Sequence, residues 1–344
     1  MNHLLFVNRL FFKISFVIVI SVFVNVYANA KCWRINDDVA KKAHFVSINA
    51  AMDSENVLDG DTLYIDPGAI ILGTQKVTKQ VAIIGCGYFL RDYPYQQSCV
   101  ESIYVTRTNV VIKSLVISDQ ISLGANNVSI ERCKIRYING CQNHITVRQC
   151  YVYYYISSYS TGGFGSYWTI ENNIMENCTV SSVNSSTIRN NYIKSNTNNP
   201  CLENVTNSTI TNNIIFGSIA NYVFKNVTGL ILNNILSCDE ETYSALFSSS
   251  QNNSFNYNMC LGSNNENAIF AMEGFDDQLY RLKEGSPAKD FGEGGADCGP
   301  YGGAYIYVPS GIINRHPYFK EIDVAPLATD GKINVSLKVK MQDE

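Results

Sequence analysis

Five charged residues, Lys113, Glu131, Arg148, Glu171 and Arg189, recur 17 to 23 positions apart with alternating sign. Brought side by side, they could carry proton transfer, with Arg148 or Arg189 as base and Glu171 as acid or metal ligand. The competing reading is a row of solvated ion pairs, each charge neutralised by its neighbours. The strict alternation favours the row. A second set is aromatic. With Val152 pointing inward, Tyr151, Tyr153 and Tyr155 point outward, and Phe164, Tyr167 and Trp168 ring a Gly-rich stretch, Thr161 to Ser166. Aromatic faces rimmed by hydroxyls and amides suit sugar rings. Tyr151, Tyr153, Tyr155, Phe164 and Trp168 are therefore the candidate ligand-binding set. Against this, tyrosine simply favours strands, and Tyr167 and Trp168 could pack on the body. Hydrolysis by paired carboxyls needs the two within about 10 Å. Asp119 and Asp239 stand alone, and Asp276-Asp277 lies in the closing segment. Four scattered His and no Cys-x-x-Cys give no metal-ligand spacing. No metal or other cofactor is expected; calcium would enter only with a lyase.

What must position these residues is a repeat. Leu115, Cys133, Cys150, Asn173, Asn191, Asn213, Asn234 and Asn258 each follow an apolar residue by three and precede another by two. The leading residues are Ile112, Ile130, Val147, Ile170, Ile188, Ile210, Ile231 and Phe255. The trailing ones are Ile117, Ile135, Val152, Met175, Ile193, Ile215, Leu236 and Cys260. A strand-like unit at this period means one supersecondary unit stacked on itself. A coil of about 21 residues holds two or three short strands around an apolar core and pairs in parallel with the next. The register makes three predictions: a stacked asparagine ladder at a left-handed corner, aliphatic ladders inside, and the alternating charges on adjacent rungs outside.

The ends differ from the middle. Residues 44–53 read as a short helix and 62–68 as a strand closed by Pro67-Gly68, together covering the open end of the stack. Residues 276–344 are Gly-rich and end in an alternating strand through Ile333, Val335, Leu337 and Val339, read as a terminal cap with an edge-covering segment. The expected organisation is a leader (1–30), an N-terminal cap (31–70), the solenoid (71–275, about nine coils) and a C-terminal cap (276–344).

The leader has Arg9 and Lys13, an apolar run from Ile14 to Val24, and Ala28-Asn29-Ala30 as a cleavage site. It is too short in its apolar run for a membrane span, so the mature chain is expected to be secreted, periplasmic or at the cell surface, without stable membrane insertion. An uncleaved anchor is the alternative. Without the leader, 24 basic face 30 acidic residues and no basic stripe exists, which disfavours nucleic acid. Of eleven cysteines, Cys133, Cys150 and Cys260 fall on inward positions and read as buried free thiols.

Several runs carry a resemblance: Phe45-Val46-Ser47-Ile48-Asn49-Ala50-Ala51, Gly60-Asp61-Thr62-Leu63-Tyr64-Ile65-Asp66-Pro67-Gly68, and Ile83-Ile84-Gly85-Cys86-Gly87-Tyr88-Phe89-Leu90. To these add the Asn-Asn-x-Ile corners and the closing Gly285-Ser286-Pro287-Ala288 and Asp297-Cys298-Gly299-Pro300-Tyr301-Gly302-Gly303. The chain resembles secreted right-handed parallel β-helix proteins of the pectate-lyase-like superfamily, most closely those exported by Bacteroidota-type bacteria. The resemblance implies an all-β, right-handed parallel β-helix. It implies no single activity, because the superfamily holds lyases, hydrolases, binders and surface proteins. Lyases of this fold set a Lys or Arg base beside calcium-holding carboxylates, and hydrolases cluster Asp on neighbouring coils. Neither set matches here residue by residue. The expected function is binding of a polysaccharide or cell-surface glycan by a Tyr-rich surface. The alternatives are a polysaccharide lyase on an acidic substrate (less readily a hydrolase) and a structural envelope protein.

Overall fold

The computed structural model describes residues 30–90, 97–160, 163–195, 199–217, 223–238, 254–262, 265–312, 318–324 and 335–340. The leader, Asp239 and Ile333 lie outside these ranges. The described chain is an all-β parallel solenoid of about eight turns. One sheet is built from short strands, eleven in number, running from Cys32–Ile35 to Ser254–Asn256. Nine of these lie from Ala82–Ile84 onward, which bounds eight full turns. A second sheet is built from longer strands, from Ile70–Val77 to Met259–Leu261.

The aliphatic register is as the repeat predicts. Ile112, Ile130, Val147, Ile170, Ile188, Ile210, Ile231 and Phe255 stand opposite one another on successive rungs. Ile117, Ile135, Val152, Met175, Ile193, Ile215, Leu236 and Cys260 do the same in the second sheet. β-Branched residues suit this pleated, buried surface, and their stacking forms one continuous core down the axis.

The corner between the sheets needs one correction. The left-handed residue is not the ladder asparagine but the one before it. Ser114, Arg132, Gln149, Asn172, Asn190, Asn212, Asn233 and Tyr257 all have φ between 52° and 58°. This single turned residue leaves the next side chain pointing inward. Asn173, Asn191, Asn213 and Asn234 are wholly buried. Each passes its backbone N–H and Nδ2 to the Oδ1 of the next asparagine, at 2.9–3.0 Å, ending on Asn258. Nδ2 also reaches rung carbonyls, as Asn213 does at Ile188 (2.9 Å) and Thr211 (3.0 Å).

Cysteines continue the ladder in the earlier coils. The Cys150 N–H donates to Asn173 Oδ1 at 2.8 Å. The Cys133 and Cys150 thiols face carbonyls on their own and the preceding rung. Burial pushes the Cys133 thiol up to about 12, so it stays protonated and can donate. Both remain free thiols. Cys260 does not: it pairs with Cys238 on the neighbouring rung, Cα to Cα 5.5 Å, because adjacent rungs bring the two within reach.

At the N-terminal end, Cys32–Ile35 adds a rung to the short-strand sheet by pairing with Thr62–Ile65. The helix Ile48–Asp53, capped by Ser47, covers the edge strand Ile70–Val77. Asn49 acts there as a substitute strand: its Nδ2 donates to Thr74 O (3.0 Å) and its Oδ1 accepts from Lys76 N (2.7 Å). An edge so occupied cannot template further pairing.

Part of the closing segment runs lengthwise as a strap over the turned corner, against the direction of coil growth. The side-chain amides of Asn233, Asn190, Asn172 and Gln149 donate in turn to the carbonyls of Phe291, Asp297, Pro300 with Gly302, and Ile306. Asn212 Oδ1 accepts from Glu293 N at 2.9 Å. The outward turn of each corner residue, set by its positive φ, creates this row of amides. Gly311 ends the strap; a Cβ there would lie 2.4 Å from the Tyr88 ring and 2.5 Å from Arg132 O. Between strap and long-strand sheet lies a second apolar core of Tyr192, Ile214, Ile235, Phe270, Phe291 and Tyr307 with their neighbours. Val335–Lys340 forms a strand, paired antiparallel with Tyr318–Val324.

Candidate functional site

The charge ladder forms as the register requires. Lys113, Glu131, Arg148, Glu171 and Arg189 stand opposite one another on five successive rungs. Lys113 pairs with Glu131 at 2.8 Å. It is not a solvated row throughout, however, because the Glu171 side chain is 0% exposed. Arg148 takes Glu171 Oε1 through Nε and Nη2, at 2.6 and 2.5 Å. Arg189 takes Oε2 in the same way, at 2.6 Å for both contacts. Tyr305 of the strap lies over the Arg148 guanidinium, 3.8 Å from its ring centre. Two forked donors saturate one buried carboxylate. Arg148, Glu171 and Arg189 are thereby spent on one another, leaving Glu171 no free lone pair for a cation or a substrate proton. Among the described residues, no three His, Cys, Asp or Glu side chains converge as a metal site.

The aromatic set divides. Trp168 is 0% exposed, and its Nε1 donates to Gln142 O at 2.7 Å inside the body. Tyr151 is buried beneath the closing segment, edge-on to Phe89 at 5.1 Å, with its hydroxyl on Glu176. Burial pushes that hydroxyl well above the usual phenol range. Neither can offer a ring face to a ligand, and both leave the candidate set. Tyr153 is half-buried, whereas Tyr155 and Phe164 are exposed.

The reason is a bend in the long strands. Their register shifts at Ile71/Thr74, Val100/Ile103, Ile117/Gln120 and Tyr153/Tyr155. From Val116 onward, the first-half residues Val116, Tyr151, Tyr153 and Ile174 pack under the closing segment, and the second halves of these strands form a separate outward face. Tyr154 sits in the bend at φ 129° and is 40% exposed. A tyrosine in that region is strained by about 1–3 kcal/mol.

On the second-half face, Gln120, Tyr137, Tyr155 and Thr179 form one column across four rungs. Tyr104, Ser122, Asn139, Ser157 and Ser181 form the adjacent column. Tyr137 stacks on Tyr154 (5.2 Å, 26°) and meets Tyr155 at 4.7 Å. The exposed guanidinium of Arg136 lies over Tyr137 and Tyr154, at 5.3 and 4.9 Å. Beyond Ser157, the same strand continues into a small antiparallel pair, Tyr159–Ser160 with Gly163–Ser166. There Tyr159 and Phe164 are 62% and 56% exposed, with ring centres 6.1 Å apart. His144 stacks on Tyr167 at 5.0 Å.

The result is an open platform of aromatic faces beside a column of hydroxyls and one amide. Such a surface can stack on the apolar face of a pyranose and hydrogen-bond its hydroxyls. Strict alternation missed Tyr104, Tyr137, Tyr154, Tyr159 and Arg136. The consecutive run Tyr153-Tyr154-Tyr155 was the available signal, since regular alternation would turn the bulky Tyr154 into the aliphatic core, and the bulge avoids this. No family model, curated protein or solved structure matches the chain.

Proposed function

We propose that the chain is an exported glycan-binding solenoid of the pectate-lyase-like kind, acting at the cell surface through the platform around Tyr137, Tyr154 and Tyr155. The observation that carries the reading is the stack of the exposed Tyr154 and Tyr155 on the half-buried Tyr137, with Arg136 laid across it. Trp168, Tyr88, Tyr192 and Tyr307 are buried and pack, and other exposed rings such as Tyr257 and Phe275 stand outside this stack. Here rings stay open, and a strained Tyr154 backbone is retained, as at sites where binding rather than stability sets the geometry. Secretion rests on the leader, and the partner is a polysaccharide or a cell-surface glycan.

The test is affinity electrophoresis of the chain through gels holding neutral or acidic polysaccharides, with product mass spectrometry on the same mixtures. Retardation by at least one polysaccharide, with that polysaccharide left intact, is the expected result. No retardation by any of them removes the reading. Shortened products would turn the platform into the substrate cleft of an enzyme whose catalytic residues lie outside the Arg148–Glu171–Arg189 set.

A further inference from the structure

The strap is fastened at its far end by one buried carboxyl. Asp277 lies in the short turn Asp276–Tyr280, and its Oδ2 accepts from Ser310 N (2.6 Å) and from the Tyr307 hydroxyl (3.2 Å). Tyr88, from the loop after Ala82–Ile84, completes a relay by pairing its hydroxyl with that of Tyr307. Tyr301 donates to Asp277 O at 2.9 Å. The turn and the strap thus meet on this side chain, and the Tyr88 loop joins them through the Tyr307 hydroxyl. All of its direct donors on the strap leave together if the strap lifts.

We propose that Asp277 is a protonation-controlled latch, which holds the C-terminal strap tightly when the carboxyl is neutral and loosens it when the carboxyl ionises. Asp277 is 1% exposed. The groups around it are Tyr307 and Tyr301 from the strap, Tyr88 from its loop, Asp276 from the turn, and Lys134 from the long-strand sheet, while Arg281 lies on the Tyr301 ring. Lys134 is occupied by the Phe89 ring, 4.4 Å from its centre. Among the described residues no ion pair joins a cation to Asp277, and burial favours the neutral acid. Burial raises the carboxyl to about 6, with Asp276 adding to the rise and the Ser310 and Tyr307 bonds opposing it.

The sign follows from linkage. In the open strap, the carboxyl returns to an ordinary value of about 4. Protons therefore bind the closed form more strongly, and closure weakens as pH rises from about 4 through about 6. Between pH 5 and pH 7.5 this group alone lowers the closed-to-open ratio about tenfold.

Hydrogen exchange of the whole chain at pH 5 and 7.5, corrected for the intrinsic rate, tests the latch. Amides of 291–311 are expected to lose about tenfold in protection relative to the short-strand rungs, while Asp277→Asn removes that difference. Tyr307→Phe, which deletes one donor to the ionised form, should shift the midpoint upward. Overturning results would be equal strap protection at both pH values, an unchanged pH trend in D277N, or an unmoved midpoint in Y307F. Should D277N fail to fold, the wild-type profile and Y307F decide alone.

Discussion

The two outward faces of this solenoid are built from different strands of the same coils and treat their polar groups in opposite ways. On the short-strand face, Glu171 is buried with both oxygens filled by Arg148 and Arg189, and the strap lays Tyr305 across Arg148. On the far half of the long strands, Tyr154, Tyr155, Tyr159 and Phe164 remain exposed, and Arg136 rests on rings. The residue types that first suggest chemistry are therefore the ones consumed by structure. A charged set that satisfies itself has nothing left for a ligand, whereas open ring faces do.

Substitutions can break this contrast, beginning with the largest effect. Glu171→Ala strands two guanidinium groups against the covered face and should cost about 3–5 kcal/mol in urea unfolding. A loss below about 1 kcal/mol would mean the pair is solvated and the faces are alike. Asn213→Leu removes a wholly buried amide that receives from Asn191 and gives to Ile188, Thr211 and Asn234. It should cost about 2–3 kcal/mol, and calorimetry showing no change would discard the ladder as a stabilising element. On the open face the expectation reverses. Tyr155→Ala should leave stability within about 0.5 kcal/mol while weakening glycan retention about tenfold, near 1.4 kcal/mol. The sharpest contrast is Tyr154→Gly. Glycine accepts φ 129° without strain, so unfolding should become harder by about 1 kcal/mol while retention falls. Stability and binding that drop together would show that the ring packs rather than binds.

The repeat was legible because its signal is local and periodic. Ile130, Val147 and Ile170 announce an inward column in sequence, and Glu131, Arg148 and Glu171 announce their own pairing once that column is set. The burial of Glu171 was not legible, since it depends on a strap about 130 residues away with no period of its own. One clue was present: polar residues precede the ladder at Gln149, Asn172, Asn190, Asn212 and Asn233, and a row of outward amides wants carbonyl partners. The aromatic site was half legible. Tyr155 follows from alternation and Phe164 from the Gly-rich stretch, but the bend at Tyr153/Tyr155 resets the face, so alternation misses Tyr154 and Tyr137 and puts Tyr151 on the wrong side of the closing segment. Trp168 shows the limit of residue type alone: its position in the body, with Nε1 satisfied by Gln142 O, is set by the coil it fills.

Affinity electrophoresis of the wild-type chain against Tyr137→Ala/Tyr155→Ala, with urea unfolding of both, tests the platform most directly. At least one polysaccharide should retard the wild type and not the double variant, with unfolding curves that differ by less than about 1 kcal/mol. Undiminished retardation of a folded double variant would contradict this and place the glycan elsewhere on the solenoid.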